Sequence, residues 1–271
     1  MPRRGPHVHQ LFDLTGRVAL VVGGSQNLGL DLAEALADAG ADVALTSRDA
    51  AKAEGVAAEL AAVTGRRVLG LGLDATDEAA VGAGFARVAA EFGRLDVVVV
   101  NAGGARLSGG GANIADRLAD DWDYVMRLNL RGTFLCCREA VRLMRPAGGG
   151  SIVTVASMSG VIGRDRSVYE GSEMIPNMPD YSAAKGGIIA FTKDLAAEVG
   201  AYGIRANCLS PGGFERGQPA EFVKRYNAQT MLGRMGRDGV DLKGAVVFLA
   251  SDAAGYVTGH NLVVDGGFTA W

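Results

Sequence analysis

The chain has 271 residues, 48% of them hydrophobic, with a formal net charge of −3. That length buries a sizeable core and suits one large α/β domain or two small ones. No basic stripe is present, so nucleic acid is not an expected partner, and the apolar runs end well short of the ~18 residues of a membrane span.

The opening "MPRRGPHVHQ" is charged but has no apolar stretch behind it, so it does not read as a secretory signal. Residues 1–10 read as a disordered arm, and 11–271 as a single domain. "RVALVVG" (17–23) is a short apolar run ending in glycine. Residues 28–40 then show helical spacing, with Leu28, Leu32, Leu36 and Ala39 on one face. Strand candidates at 42–47, 67–73 and 95–100 alternate with helix candidates at 49–63 and 77–92. A long helix is expected from about 120 to 145, then a strand at 151–157 and a helix from 181 to about 200. A strand at 204–210, a short helix near 242–250 and a strand at 261–265 complete the series. "LDVVVV" is nearly all apolar, as a strand covered on both faces must be. Strands alternating with helices imply an α/β fold with a parallel sheet of about seven strands and helices on both faces. Right-handed crossovers make it the doubly wound Rossmann arrangement.

Cysteine is sparse, at Cys136, Cys137 and Cys208, with no CxxC spacing. This argues against a disulfide framework or zinc site and for a reducing, cytoplasmic compartment. His7 and His9 have no third ligand nearby, and His260 stands apart, so no metal is expected.

Ligands in a doubly wound fold sit beyond the carboxyl ends of the strands. The first strand ends in "VVGGSQNLG". Its glycines permit a tight turn, and the next helix offers free N–H groups to a pyrophosphate. This turn resembles the Thr-Gly-x-x-x-Gly-x-Gly of the short-chain dehydrogenase/reductase family, with Val22 for the Thr and Asn27 for the middle Gly. Asn best tolerates a left-handed backbone among non-glycine residues, so the turn is expected to survive. The resemblance covers the chain from Leu11 onward. "LDAT" carries Asp74 and "VNAGG" resembles the family's Asn-Asn-Ala-Gly. "LNLRGTF" carries Asn129, "VASMSG" carries Ser157, and "YSAAK" carries Tyr181 and Lys185. "SPGGF" and "VDGGF" match the family's late signatures. The opening "LFDLTGRVALV" is similar to gluconate and polyol dehydrogenases of the family.

The resemblance implies an NAD(P)-dependent oxidoreductase acting on an alcohol or carbonyl. Its expected cofactor residues are Gly23, Ser25, Gln26, Asn27, Leu28, Ser47, Arg48, Asp74, Ala75, Asn101, Ala102, Gly103, Tyr181, Lys185, Pro211, Gly213 and Phe214. Its expected catalytic residues are Asn129, Ser157, Tyr181 and Lys185. Tyr181 gives or takes the proton, and Ser157 hydrogen-bonds the reacting oxygen. Lys185 holds the nicotinamide ribose, and Asn129 positions a relay water. Free Tyr titrates near ~10, and lowering it by about three units takes about 4 kcal/mol. A lysine ammonium ~4 Å away supplies ~4 kcal/mol at an effective dielectric near ~20. Lys185 lies at i+4 on the same helix face, so it is the expected source.

Strand two ends "LTSRD", where an NAD enzyme commonly places an acid; Ser47 and Arg48 suit a 2′-phosphate and favour NADP over NAD. Apolar Leu128, Phe134, Leu135, Ile188, Ile189 and Phe191 occupy more than one helix face, and Trp271 ends the chain, so a homo-oligomer is expected, a tetramer by the resemblance. Between Ser157 and Tyr181 the chain is longer than is usual in the family. The excess, 163–180, carries Arg164, Asp165, Arg166, Glu170 and Glu173 with few large apolar residues. Downstream stand Glu215 and Arg216. Such a lining suits a sugar, polyol or keto-acid, with a 3-oxoacyl thioester as competitor. A solvated loop or interface element is the plainer reading of 163–180. A non-catalytic dinucleotide sensor or scaffold would dispense with the Tyr or the Lys, and both are kept. A sugar-nucleotide epimerase or dehydratase would carry a longer C-terminal part. Ser182-x-x-Lys185 also fits a β-lactamase motif, but no Ser-Asp-Asn or Lys-Thr-Gly follows.

Overall fold

The computed structural model describes residues 5–108 and 113–271. Strands β1 (Val18–Val22), β2 (Asp42–Ser47), β3 (Val68–Gly72), β4 (Val97–Val100), β5 (Gly150–Val155), β6 (Ile204–Pro211) and β9 (Asn261–Val264) form one sheet. Its order is β3-β2-β1-β4-β5-β6-β9, and every pair is parallel. The chain thus winds from β1 to one edge and returns through β4 to the other, the doubly wound order expected. The reversal lies between β1 and β4, where a crevice opens beyond the strand ends.

Both faces of the sheet are buried, which is why its strands read as continuous apolar runs. Ala19, Val21, Val97 and Val99 face a core shared with α2 (Asn27–Asp38), α3 (Ala50–Thr64) and α9 (Lys243–Ala250). Val18, Leu20, Val22, Val98 and Val100 face a second core with α4 (Glu78–Phe92), α6 (Gly132–Ala147) and α7 (Pro179–Val199). Local chemistry sets the helix ends. Asp49 and Asp77 cap α3 and α4 with their carboxylates, and Gly65 and Gly93 end them at φ 68° and 75°.

Three departures from the sequence reading matter. The helix expected from about 120 to 145 is α5 (Ala119–Met126) and α6 joined by one π-helical turn, Arg127–Arg131. Within it the Asn129 amide donates to the Val125 carbonyl at 2.9 Å, and the Thr133 hydroxyl to the Asn129 carbonyl at 2.6 Å. These side-chain bonds occupy carbonyls that helical N–H groups would otherwise use. The arm expected to be disordered over 1–10 holds the start of a short helix, α1 (Val8–Phe12). Gln10 and His7 close its first turn with reciprocal bonds of 2.8 and 2.9 Å. Finally, α8 (Ala220–Ala228) and a two-residue parallel pair, β7 (Phe214–Glu215) with β8 (Gly236–Arg237), stand after β6 where no element was expected.

The segment 163–180 is solvated in part, with Asp165, Arg166, Glu170 and Glu173 exposed. Its Val168 and Tyr169 pack with Met158, Phe222, Tyr226, Met235 and Phe268 in a separate small core under α8. Its apolar residues are spaced without period, which hid this role from the sequence.

Helix α3 lies so close to β3 that a Cβ on Gly70 would stand 2.3 Å from the Ala53 carbonyl oxygen. Gly70→Ala is expected to lower stability by about 2–3 kcal/mol, as overpacking against backbone does. Urea unfolding of the two proteins measures it.

Candidate active site

The crevice beyond β1 and β4 is a cleft of about 520 Å3. One wall is the glycine turn. Gly23 takes φ 76°, and Asn27 takes φ 49°, the one non-glycine residue at positive φ among the described residues. Asn27 therefore does what the middle glycine would do. The turn is pinned from both sides. The Gly23 N–H donates to the Thr46 hydroxyl of β2 at 3.0 Å, and Asn101 after β4 donates to the Gly23 carbonyl at 2.9 Å. A Cβ on Gly29 would lie 2.0 Å from that carbonyl, so the start of α2 can sit against the turn only with glycine there. Gln26 precedes α2 without a side-chain cap, so its first N–H groups stay free for an anion.

At one end of the cleft lie Ser25, Gln26, Leu28, Ser47, Arg48, Asp74 and Ala75. Asp74 accepts from Thr76 N–H and hydroxyl, both at 2.8 Å. Lys52 lines this end as well, and its ammonium reaches the Gln26 side-chain oxygen. Sequence reasoning missed Lys52, although it stands one turn beyond Arg48 at the start of α3. The neighbouring carboxylate, Asp49, is occupied in capping the Lys52 N–H at 3.1 Å.

At the other end lie Ala102, Gly103, Ser157, Tyr181, Lys185 and Pro211. Lys185 is buried, and its Nζ donates to the Val155 carbonyl at the end of β5 at 2.8 Å. Asn129 is buried and does not line the cleft. Its amide bonds the Gly104 carbonyl at 2.8 Å and accepts from Gly104 N–H at 3.1 Å. A Cβ on Gly103 would stand 2.6 Å from Asn129 Oδ1 and 3.2 Å from Lys185 Nζ, so glycine keeps these groups together. Gly213 and Phe214 fall outside the cleft. The Gly213 N–H donates to the Tyr226 hydroxyl, and Phe214 is a core residue against Gly236. Gly213 lines a smaller cavity beside Ser157 instead, and Phe214 begins β7.

The electrostatics add one group to the expected scheme. Burial pushes the Tyr181 phenol above its ordinary value, and Ser157 and the Arg164 guanidinium pull it back. The Lys185 ammonium lies 5.6 Å from the Tyr181 ring centre and donates to Val155. Arg164 is thus a second cation that favours the phenolate, beside the Lys185 that the sequence reading expected there.

A second set of buried charges fixes the first turn of α7. Arg117 bonds Asp180, through Nε at 2.9 Å, and Asp121 at 3.0 Å. Asp180 also accepts from the Tyr181 N–H at 2.7 Å, and Asp121 accepts from Ser108 N–H at 3.0 Å. The chain before α5 is thereby tied to the first turn of α7. Nothing local in the sequence marks these partners, which lie far apart along it.

Beyond Ser157 a smaller cavity of about 180 Å3 opens under α8, lined among others by Met158, Arg164, Met174, Asn177, Gln218 and Phe222. Arg216 lies back in the large cleft, held by Asp238 and by Asp31 at 3.8 Å.

Burial lowers the Lys185 pKa to about 8. An unfolded lysine titrates near ~10.4, so below about pH 8 both states are charged and the burial penalty is constant. Between those values the folded state sheds its proton first, and stability rises with pH; above both the penalty is gone. The stability difference between wild type and Lys185→Met is expected to move in favour of wild type across that window. Urea unfolding at stepped pH measures it, and a flat difference would contradict the assignment.

A family model for Enoyl-(Acyl carrier protein) reductase matches residues 22–269. D-threitol dehydrogenase of Mycolicibacterium smegmatis is 40% identical over 262 residues, 95% of this chain and 95% of that protein. Cis-4-hydroxycyclohexanecarboxylate dehydrogenase of Sinomonas cyclohexanicum is 38% identical over 258 residues, 94% of this chain and 97% of that protein. Among solved structures, a gluconate 5-dehydrogenase from Burkholderia cenocepacia J2315, in complex with NADP and tartrate, superposes with a TM-score of 0.88. It is 33% identical and covers 98% of this chain and 100% of that one. With the sheet order and this similarity along nearly its whole length, the chain belongs to the short-chain dehydrogenase/reductase family.

Proposed function

We propose that the protein is an NAD(P)-dependent oxidoreductase interconverting a secondary alcohol and a ketone on a small polar substrate. One observation carries the reading: Ser157, Tyr181 and Lys185 converge at one end of the cleft that the glycine turn walls. The polyol, hydroxy acid and sugar acid in the relatives' names support the CH–OH/C=O chemistry.

The cleft fits a dinucleotide. Its volume lies in the ~300–1,000 Å3 range of ligand sites. Gly23 and Gly103 leave backbone-lined space where a Cβ would meet Ala102 or Asn129. Gly23, Ser25, Asn27 and Leu28 would hold the pyrophosphate on the N–H groups of α2. The bound dinucleotide supplies hydride transfer, which is the cofactor's own chemistry. Ser157 donates to the reacting oxygen and stabilises charge developing there. Tyr181 gives or takes the proton at that oxygen. Lys185 hydrogen-bonds the nicotinamide-side ribose and carries the positive charge beside the phenol. Asn129 holds Gly104, and with it the floor under Lys185.

NADP is the preferred cofactor on this reading. Arg48 and Lys52 bring two positive charges to the end of β2, and the one acid there, Asp49, is turned to its helix. A 2′-phosphate suits such a pair. A second copy of the chain would cover the apolar groove between α5 and α7, lined by Met126, Leu130, Phe134 and Phe191. Buried free thiols agree with a reducing, cytoplasmic setting.

Tyr181→Phe is expected to keep NADPH affinity by fluorescence titration and to lower kcat by about 10²–10⁴-fold, the usual share of a general acid. A near-wild-type rate would overturn the mechanism. Arg48→Asp with Lys52→Ala should weaken NADPH at least about tenfold, one charge-assisted contact's worth, and spare NADH. Comparable kcat/KM for both cofactors in the wild type would remove these residues from that role.

A further inference from the structure

Arg164 is an arginine without a counter-charge. Among the described residues no carboxylate stands within ion-pair distance of it. Its Nη1 meets the Tyr169 hydroxyl and its Nη2 the Ser159 hydroxyl at 2.9 Å, both neutral acceptors. Its Nε is buried and has no acceptor at all. Arg117, whose side chain is buried, sits instead between Asp121 and Asp180. Burying a charge without a partner is costly, and a bound anion would offset that cost.

The place of Arg164 says which ligand. It lines the 180 Å3 cavity that opens from Ser157, and among the described residues no Asp or Glu lines that cavity. The remaining walls are mixed: Met158, Met174, Ile175, Phe222 and Met235 are apolar, and Asn177 and Gln218 add polar groups beside them. A guanidinium matches a carboxylate with paired N–H donors. A phosphate would need more donors than one guanidinium and two amides provide, and a polyol would leave the apolar walls without matching surface. Tyr169 and Ser159 hold the guanidinium in place, so little side-chain freedom is lost on binding.

We infer that Arg164 binds a substrate carboxylate, and that the substrate is a compact hydroxy- or oxo-monocarboxylate whose carbon frame fills the cavity under α8. This rests on the oxidoreductase reading of the site and narrows its substrate class. The alcohol oxygen lies at Ser157 and Tyr181, and the acid group lies across the cavity. The segment 163–180 then has a function beyond packing: it delivers the anion receptor.

The test uses matched pairs with NAD and NADP: 3-hydroxybutyrate against its methyl ester, and 3-hydroxycyclohexanecarboxylate against its primary amide, with threitol as a neutral polyol. Wild type should favour each acid over its neutral partner by about 10²-fold in kcat/KM, as a charged hydrogen-bonded pair provides. Arg164→Gln should bring that ratio to near unity, and Arg164→Lys should restore part of it. Cyclohexanecarboxylate should inhibit the wild type competitively, and cyclohexanecarboxamide should not. Neutral partners or threitol turned over as well as the acids would overturn this inference while leaving the oxidoreductase reading intact. So would an acid preference that survives in Arg164→Gln. No turnover of any pair, nor of the matching ketones, would overturn the oxidoreductase reading and this inference together.

Discussion

A parallel sheet buried on both faces leaves only its strand ends free, and everything chemical in this protein is placed by that constraint. β1 and β4 part at the point where the winding reverses. The backbone there has to turn sharply, and Gly23, Asn27 and Gly29 are the residues that let it. The turn is held by groups from the flanking strands, Thr46 and Asn101, so its shape follows from the register of β1 with β2 and β4. A loop on its own would pay a large entropy cost for such a shape; here the sheet has met it.

Helix α7 carries Tyr181 and Lys185, and three separate anchors fix it. Lys185 is tied to the end of β5, Asp180 to Arg117, and Gly160 packs so close that a Cβ there would stand 2.6 Å from the Lys185 carbonyl carbon. Buried ion pairs contribute little net stability but are strongly destabilising when one partner is lost. The Arg117–Asp121–Asp180 set therefore acts as a positioning device: it fixes where the chain before α5 and the first turn of α7 meet. The π-helical turn serves the same end, because it presents the Asn129 amide to Gly104 and sets the backbone beneath Lys185.

What the sequence made legible was local. The strand–helix alternation, the glycine turn with its Asn27 and the residues at the strand ends all announce themselves within a few positions. What stayed hidden depended on distance. Lys52 was missed because its value lies in facing Gln26 across the cleft. Arg117 was missed because Asp180 lies far along the chain. The segment 163–180 was read by its charges, yet Val168, Tyr169 and Met174 are what pack it against α8. Asn129 was expected to position a relay water, and the bonds of its amide to the Gly104 and Val125 backbone are a further contact that the sequence did not announce.

Two cations stand near the Tyr181 phenol, and they are held differently. A buried phenol resists ionisation, and a nearby cation offsets that. Lys185 is itself penalised by burial and donates to a carbonyl, while Arg164, from the segment 163–180, also favours the phenolate. If a substrate carboxylate occupies Arg164, the pair becomes neutral and its pull on the phenol weakens. Tyr181 then holds its proton more firmly as the substrate seats, which suits a donor to a carbonyl oxygen. In the opposite direction the departing acid frees Arg164 and favours the phenolate again. On the proposal that Arg164 takes a substrate carboxylate, substrate charge and the proton affinity of Tyr181 would be coupled through one side chain, supplied by the segment that also lines the cavity.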